Sequence, residues 1–378
     1  MSAAAPDTPL AAELKRHIAL EGPISVERYM ALCLGHPRHG YYMTRDPFGA
    51  RGDFVTAPEI SQMFGELVGL WAAETWRLMG GPARLNLVEL GPGRGTLMAD
   101  ALRAARALPA FREALAVHLV ETSPVLRERQ QVALASSGIT PTWHATVDSL
   151  PDGPLVVVAN EFFDALPVRQ YQRTERGWCE RLVGLGDDGA LAFGLAPEPE
   201  PALTLAAPVG SVREVAAASG EVLRALAGRI VRFGGAALVV DYGHVASGFG
   251  ETLQALKGHA FVDPLAEPGE ADLTVHVDFT ALACEALAAG AAVHGPVMQR
   301  DFLLALGLAE RAGMLKRRAA ADQARAIDAA VARLTDAGKT GMGRLFKVLA
   351  VASPALPLLP GFDRRQAPDD AKGSSAAG

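Results

Sequence analysis

Cysteine is scarce in this chain: Cys33, Cys179 and Cys284 are the three among 378 residues, and no two form a C-x-x-C pair. That excludes a disulfide framework and a zinc site built on paired cysteines, and it suits a reducing compartment. Positive charge is not in excess either. Thirty-six Lys and Arg stand against 42 Asp and Glu, a net charge of −6, so the electrostatic footprint of a nucleic-acid binder is missing. No uninterrupted apolar run reaches the roughly 18–20 residues of a membrane span. Met1 to Leu14 is Ala/Pro-rich with acids at Asp7 and Glu13, and it lacks the basic start and apolar core of a secretory signal. No internal repeat is found. Length, by contrast, is ample for a large core, either two domains or one elaborated domain.

What is present centres on Asn86-Leu87-Val88-Glu89-Leu90-Gly91-Pro92-Gly93-Arg94-Gly95-Thr96-Leu97-Met98. It reads as a buried strand, a glycine-rich turn and the start of a helix, whose apolar stripe is Leu97, Met98, Ala101, Leu102 and Ala105. Gly91, Gly93 and Gly95 let the backbone approach a ligand and present helix N–H groups to it. Thr96 stands where the dinucleotide fingerprint requires a small third residue. Glu89, just before the loop, would repel a pyrophosphate and attract a sulfonium or ammonium group. The next strand, Val117–Glu121, ends in an acid suited to two ribose hydroxyls. Together these favour S-adenosylmethionine over NAD, against the plain alternative of an ordinary strand-to-helix turn with surface acids.

The rest of the chain supplies the frame. Residues 9–35 read as helical, with Ser25 an N-cap for Val26 to Leu34. Thr56-Ala57-Pro58-Glu59 reads as a capping box opening a helix through Trp71. Strands follow at 86–90, 117–121, near 142–147, 155–159, 236–240 and 346–352, separated by helices, which indicates a parallel sheet covered on both faces. Residues 168–195 alternate and carry turn signals, as an antiparallel insertion would; 197–208 reads as a linker, 211–232 as a long helix, and 278–290 and 299–336 as helical. The expected fold is α/β, a Rossmann-like doubly wound sheet. Its expected parts are an N-terminal helical cap (1–80), a first part of the core (81–167), the insertion (168–210), the remaining core with a helical insertion (211–360) and a polar, disordered tail (361–378).

Ligands in such sheets bind beyond the carboxyl ends of the strands. Two further strand ends carry polar clusters, Asn160-Glu161-Phe162-Phe163-Asp164 and Asp241-Tyr242-Gly243-His244. Glu161 and Asp164 could hold a cationic or amide acceptor in line with a methyl donor, giving a guanidinium bidentate orientation. His244 could relay the released proton. Each residue also has a structural reading: Asp164 as a helix cap, Asn160 as a tie at the strand end, His244 as a turn residue. His276 and Asp278 attract notice too, although Asp278 fits an N-cap equally well. The basic residues between Arg311 and Arg333 read as a solvated helix face.

These residues carry a resemblance. Gly40-Tyr41-Tyr42, Asp46 to Gly49, Gly52 to Ser61 and Phe64-Gly65-Glu66 resemble the N-terminal signature of the MidA-like methyltransferases. The likeness continues through Val88–Leu97, Ala159–Pro167, Asp241–His244, Gly250–Ala255, Asp272–Phe279 and Gly343–Leu349, and spans roughly residues 10 to 360. It implies a class I S-adenosylmethionine-dependent methyltransferase fold. By similarity to a mitochondrial assembly factor of respiratory complex I, it also implies arginine N-methylation of a protein, with a complex I subunit as acceptor. The cofactor loop and the segment Asn160–Asp164 carry over residue by residue, which implies cofactor binding by Glu89, Gly91, Gly93, Gly95 and Asn160, beside the Glu121 expected at the next strand end. Two competing readings are a small-molecule methyltransferase and a non-catalytic assembly scaffold, the latter disfavoured by the intact loop. With no transit peptide evident, the expectation is a cytoplasmic, bacterial-type protein.

Overall fold

Runs of Val, Leu and Ala build the central sheet: Leu85–Leu90 (β1), Leu115–Val120 (β2), Thr142–His144 (β3), Leu155–Asn160 (β4), Gly235–His244 (β5), Ala292–Met298 (β6) and Phe346–Ala352 (β7). The structure, a computed structural model, describes residues 7–46 and 56–363. The strand order is β3-β2-β1-β4-β5-β7-β6, and the short strand Val277–Asp278 adds to the far end of β5. Strands β1 to β5 pair in parallel, and β7 runs antiparallel to both β5 and β6. The chain moves outward through β2 and β3, then returns to the other side of β1 with β4. That reversal opens a crevice at the carboxyl ends of β1 and β4, the place where open α/β sheets bind ligands.

Both faces are buried because side chains alternate along each strand. Leu87, Val156, Val158 and Leu238 pack on one side against Gln62–Leu78 and Thr96–Ala105. Val88, Val157, Val239 and Leu349 pack on the other against Ala217–Phe233 and Phe279–Ala288. A third core joins the N-terminal helices Pro9–Glu21 and Val26–Gly35 to the insertion through Leu14, Tyr29, Met30 and Val183. Where β5 starts it runs so close to β4 that a Cβ on Gly235 (φ +132°) would lie 1.8 Å from the Leu155 carbonyl oxygen.

Several expectations hold. Ser25 caps its helix, Oγ accepting from the Arg28 N–H at 3.1 Å, and the insertion is antiparallel, built from Arg169–Thr174, Gly177–Leu185 and Leu191–Pro199. Others need correction. The helix expected from Thr56 onward breaks after Ile60. Ser61 is extended (φ −160°, ψ 134°) and its own Oγ caps Gln62–Leu78 by accepting from the Met63 N–H at 3.2 Å. Thr56 makes no cap hydrogen bond, and Glu59 instead accepts from Thr96 Oγ1. The helix expected from 211 begins at Ala217, since Val212–Val215 pairs as a strand with Arg169–Gln172. The edge strand β6 was not expected; Pro296 lies at a register shift between His294 and Val297, which hides it from alternation. Residues 299–335 are helical as expected, divided into Gln299–Ala305, Leu308–Lys316 and Ala321–Thr335. The expected signature residues 47–55, and the tail from 364, lie outside the described residues.

Candidate active site

The loop after β1 turns through three left-handed glycines, Gly91 (φ +58°), Gly93 (+53°) and Gly95 (+83°), before the helix starts at Thr96. Their freedom is required by protein neighbours: a Cβ on Gly91 would lie 2.8 Å from Phe162 Cδ2, and one on Gly95 3.3 Å from Gln130 Cα. The loop borders a cavity of about 1060 Å³ that also reaches Glu89, Glu121, Asn160, Glu161 and Asp164. That is the upper end of single-ligand pockets, which run about 300–1,000 Å³, and it leaves space for a cofactor and an acceptor together.

At the cofactor end, Glu89 is almost wholly buried. The Met98 N–H donates to it, but Oε2 has no partner among the described residues. Burial pushes its carboxyl well above the usual range, a penalty that a bound cation would offset. Glu121 closes the next strand end. Its Oε1 accepts from the Ser123 N–H at 2.7 Å and its Oε2 from Gln130 Nε2 at 3.1 Å, and the Thr122 N–H also donates to the carboxylate, which still leaves lone-pair capacity for a hydroxyl. Gln130, fully buried, also donates to the Gly93 carbonyl at 2.8 Å and accepts from Trp143 Nε1 at 2.8 Å, fixing loop and acid together. Sequence reading passed over Gln130 because only the fold brings it beside the loop. It also passed over Asp148, an acid on the cavity wall in the turn after β3. An orphaned buried carboxylate, a carboxylate with spare lone pairs and glycines that hold the loop open together fit S-adenosylmethionine.

The acceptor end is built on Asp241, wholly buried in β5. Its Oδ2 accepts from the backbone N–H groups of Phe162, Phe163 and Asp164 (3.2, 3.0 and 3.2 Å), and its Oδ1 from that of Tyr242 (2.9 Å). The clamp holds the turn after β4 so tightly that Glu161 adopts a left-handed φ of +51°. Glu161 Oε1 accepts from the Ala57 N–H and from Asn160 Nδ2, both at 3.0 Å. Burial, helped by neighbouring Asp164, pushes the Glu161 carboxyl up to about 7. Burial pushes Asp164 up to about 6 against the hydrogen bond from Tyr242. Asp164 Oδ1 and Asn160 Oδ1 are buried without partners among the described residues. Asp164 opens no helix, so the capping alternative for it falls.

Two expected residues stand elsewhere. Gly95 does not border the cavity and serves as the helix start. His244 does not border it either: its Nε2 lies 3.7 Å from Asp278 Oδ2. Asp278 caps Phe279–Ala288 by accepting from the Ala281 N–H at 3.0 Å. Although burial opposes it, the bonds from His244, Ser247 and Ala281 hold the Asp278 carboxyl down at about 2. His276, from the segment before that cap, lines the cavity instead.

Residues 67–297 match a family model described as S-adenosyl-L-methionine-dependent methyltransferase. The chain is 40% identical to the Drosophila melanogaster homologue of mitochondrial protein arginine methyltransferase NDUFAF7, over 90% of this chain and 84% of that one. It is 38% identical to the Homo sapiens protein of that name, over 82% and 76%. A Burkholderia thailandensis structure solved with S-adenosyl-homocysteine superposes with a TM-score of 0.81 at 30% identity, covering 96% of this chain and 98% of that chain. The curated relatives are mitochondrial, which overturns the expectation of a cytoplasmic, bacterial-type protein. Among the described residues no helix is long and apolar enough to cross a membrane. On fold, cofactor cradle and sequence alike, the chain belongs to the MidA-like family of S-adenosylmethionine-dependent methyltransferases.

Proposed function

We propose that this enzyme methylates an arginine side chain of a protein, and that the protein is a subunit of respiratory complex I. The carrying observation is the pair Glu161 and Asp164: carboxylates on the cavity wall beyond the cofactor loop, Asp164 buried and Glu161 half-buried, neither within ion-pair distance of a Lys or Arg among the described residues, with the Arg333 charge acting on Glu161 from further away. A guanidinium supplies a positive charge and five N–H donors in a planar fork, which matches two acceptor carboxylates and the orphaned Asn160 oxygen. The names of the curated relatives support the substrate class.

The cofactor, when bound, supplies an electrophilic methyl group on a sulfonium. In this reading Glu89 would hold its cationic end, Glu121 the ribose hydroxyls and Asp148 an exocyclic amine, while Gly91 and Gly93 would allow close backbone approach. Glu161 and Asp164 fix the guanidinium and draw its charge away from the attacking nitrogen, so that alignment with the methyl group carries much of the rate. The test is incubation of the protein and labelled S-adenosylmethionine with an extract from cells lacking it, followed by mass spectrometry. Methylarginine on a complex I subunit is the expected product. A labelled metabolite with no labelled protein would overturn the reading.

A further inference from the structure

His276 is the one histidine of the described residues that borders the cavity, on the wall that also carries Tyr242, Asp272 and Thr274. The GETLQA segment, Gly250 to Ala255, places it. The His276 N–H donates to Thr252 Oγ1 at 2.9 Å. The Thr252 hydroxyl donates to Glu214 Oε2 at 2.5 Å, and the Thr252 N–H to Glu214 Oε1 at 3.0 Å. Glu214 lies on Val212–Val215 of the antiparallel insertion and also accepts from Gln170 Nε2 at 2.8 Å. From the other side the Tyr242 ring meets the imidazole edge-on, with centroids 5.6 Å apart at 86°. Neither ring nitrogen has a hydrogen-bond partner among the described residues, so the ring is positioned without being occupied.

Arginine methylation leaves a proton to dispose of. The methyl carbon's bond to sulfur breaks with its electron pair staying on sulfur, and a bond forms to a guanidinium nitrogen. That nitrogen must then release one proton for the side chain to return to a single positive charge. Glu161 and Asp164 are poorly suited to take it, because protonation would dissolve the clamp that holds the substrate. We propose that His276 accepts this proton and passes it to solvent, to which its half-buried ring is open. The proposal rests on the arginine reading above. The charged and titratable groups around the ring are His244, Glu214 and Lys347, with Tyr242 in contact and Asp164 and Asp272 on the same cavity wall. Burial, with His244 and Lys347, holds the imidazole below its ordinary range, so it stands neutral at pH 7 and ready to accept.

The test compares wild type, His276→Gln and His276→Ala, all as full chains, using initial rates of label transfer to the same acceptor. The variants should bind S-adenosyl-homocysteine as wild type does in calorimetry and keep the acceptor KM. Their kcat should fall about 100-fold, the usual scale of a lost general base. Free imidazole should restore turnover to His276→Ala as its neutral form increases, which a merely structural role would not allow. By NMR, the His276 ring of the unliganded wild type should titrate below about 6.5. Wild-type turnover in both variants, or lost turnover that imidazole does not restore, would overturn the assignment. If wild type itself labels no arginine, the substrate reading fails first and this proposal fails with it.

Discussion

Gly91 shows how a single position can serve a ligand indirectly. Its missing Cβ is demanded by Phe162, 2.8 Å from where that atom would be, and by a φ of +58° that a β-branched residue adopts only under strain. Gly91→Val should therefore displace the loop and lower S-adenosyl-homocysteine affinity at least about 100-fold, a loss of roughly 3 kcal/mol on the binding scale. Calorimetry giving wild-type affinity would show that the loop does not carry the cofactor. Glu161→Gln keeps an oxygen for the Ala57 and Asn160 donors while removing the charge, so it should bind cofactor normally and fail to transfer methyl. The same variant carries a pH signature. The Glu161 carboxyl, raised to about 7, binds its proton more tightly folded than unfolded. Its contribution to stability is complete below the unfolded value near 4.3 and is lost as pH rises through about 7. Glu161→Gln should thus melt above wild type at pH 8, with the gap closing toward pH 5; thermal scans that show no such convergence would mean the carboxyl is not raised. At this scale much could be read in advance. Glu89, Glu121, Glu161 and Asp164 announce themselves as acids at strand ends. Gln130 and Asp148 do not, since packing distant in sequence sets Gln130 behind the loop and Asp148 on the cavity wall. His244 and His276 exchanged places for a similar reason: the pairing of β5 with Val277–Asp278 turns His244 toward Asp278.

Elements were legible where one force set them. The buried strands β4 and β5 are built on continuous apolar runs, and β1 sets Leu85, Leu87, Val88 and Leu90 around Asn86 and Glu89. Boundaries failed where tertiary bonds outweighed local preference. Glu59 gives up a capping role to reach Thr96, and the helix breaks at the extended Ser61, whose Oγ caps the next one. Val212–Val215 has helix-compatible periodicity yet joins a sheet whose edge it completes. The turn after β4 depends on Asp241 more than on its own residues. Asp241→Ala would leave the N–H groups of Phe162, Phe163, Asp164 and Tyr242 without their acceptor, and should cost at least about 3 kcal/mol in urea unfolding. Stability equal to wild type would mean the turn is held by something other than this carboxylate.

In the whole molecule, the order β3-β2-β1-β4-β5-β7-β6 brings three parts of the chain to one crevice. The glycine loop comes from β1, the acidic turn from β4, and the cavity wall with Tyr242 and His276 from β5 and the segment beyond the insertion. The antiparallel insertion is therefore more than a decoration, since Glu214 links it to the wall through Thr252. Sheet order could not be read from one sequence, because strand runs do not reveal their neighbours; the switch point followed only once β4 was seen beside β1. The claim that unites these scales is that a methyl donor on the loop faces an arginine held by Glu161 and Asp164. It is tested most directly by giving wild type and Glu161→Gln the same labelled S-adenosylmethionine and the same extract, then locating the label by mass spectrometry. Methylarginine on a protein with wild type, and none with a Glu161→Gln variant that still binds S-adenosyl-homocysteine, is the expected result. Equal labelling by both proteins, or label on any residue other than arginine, would contradict it.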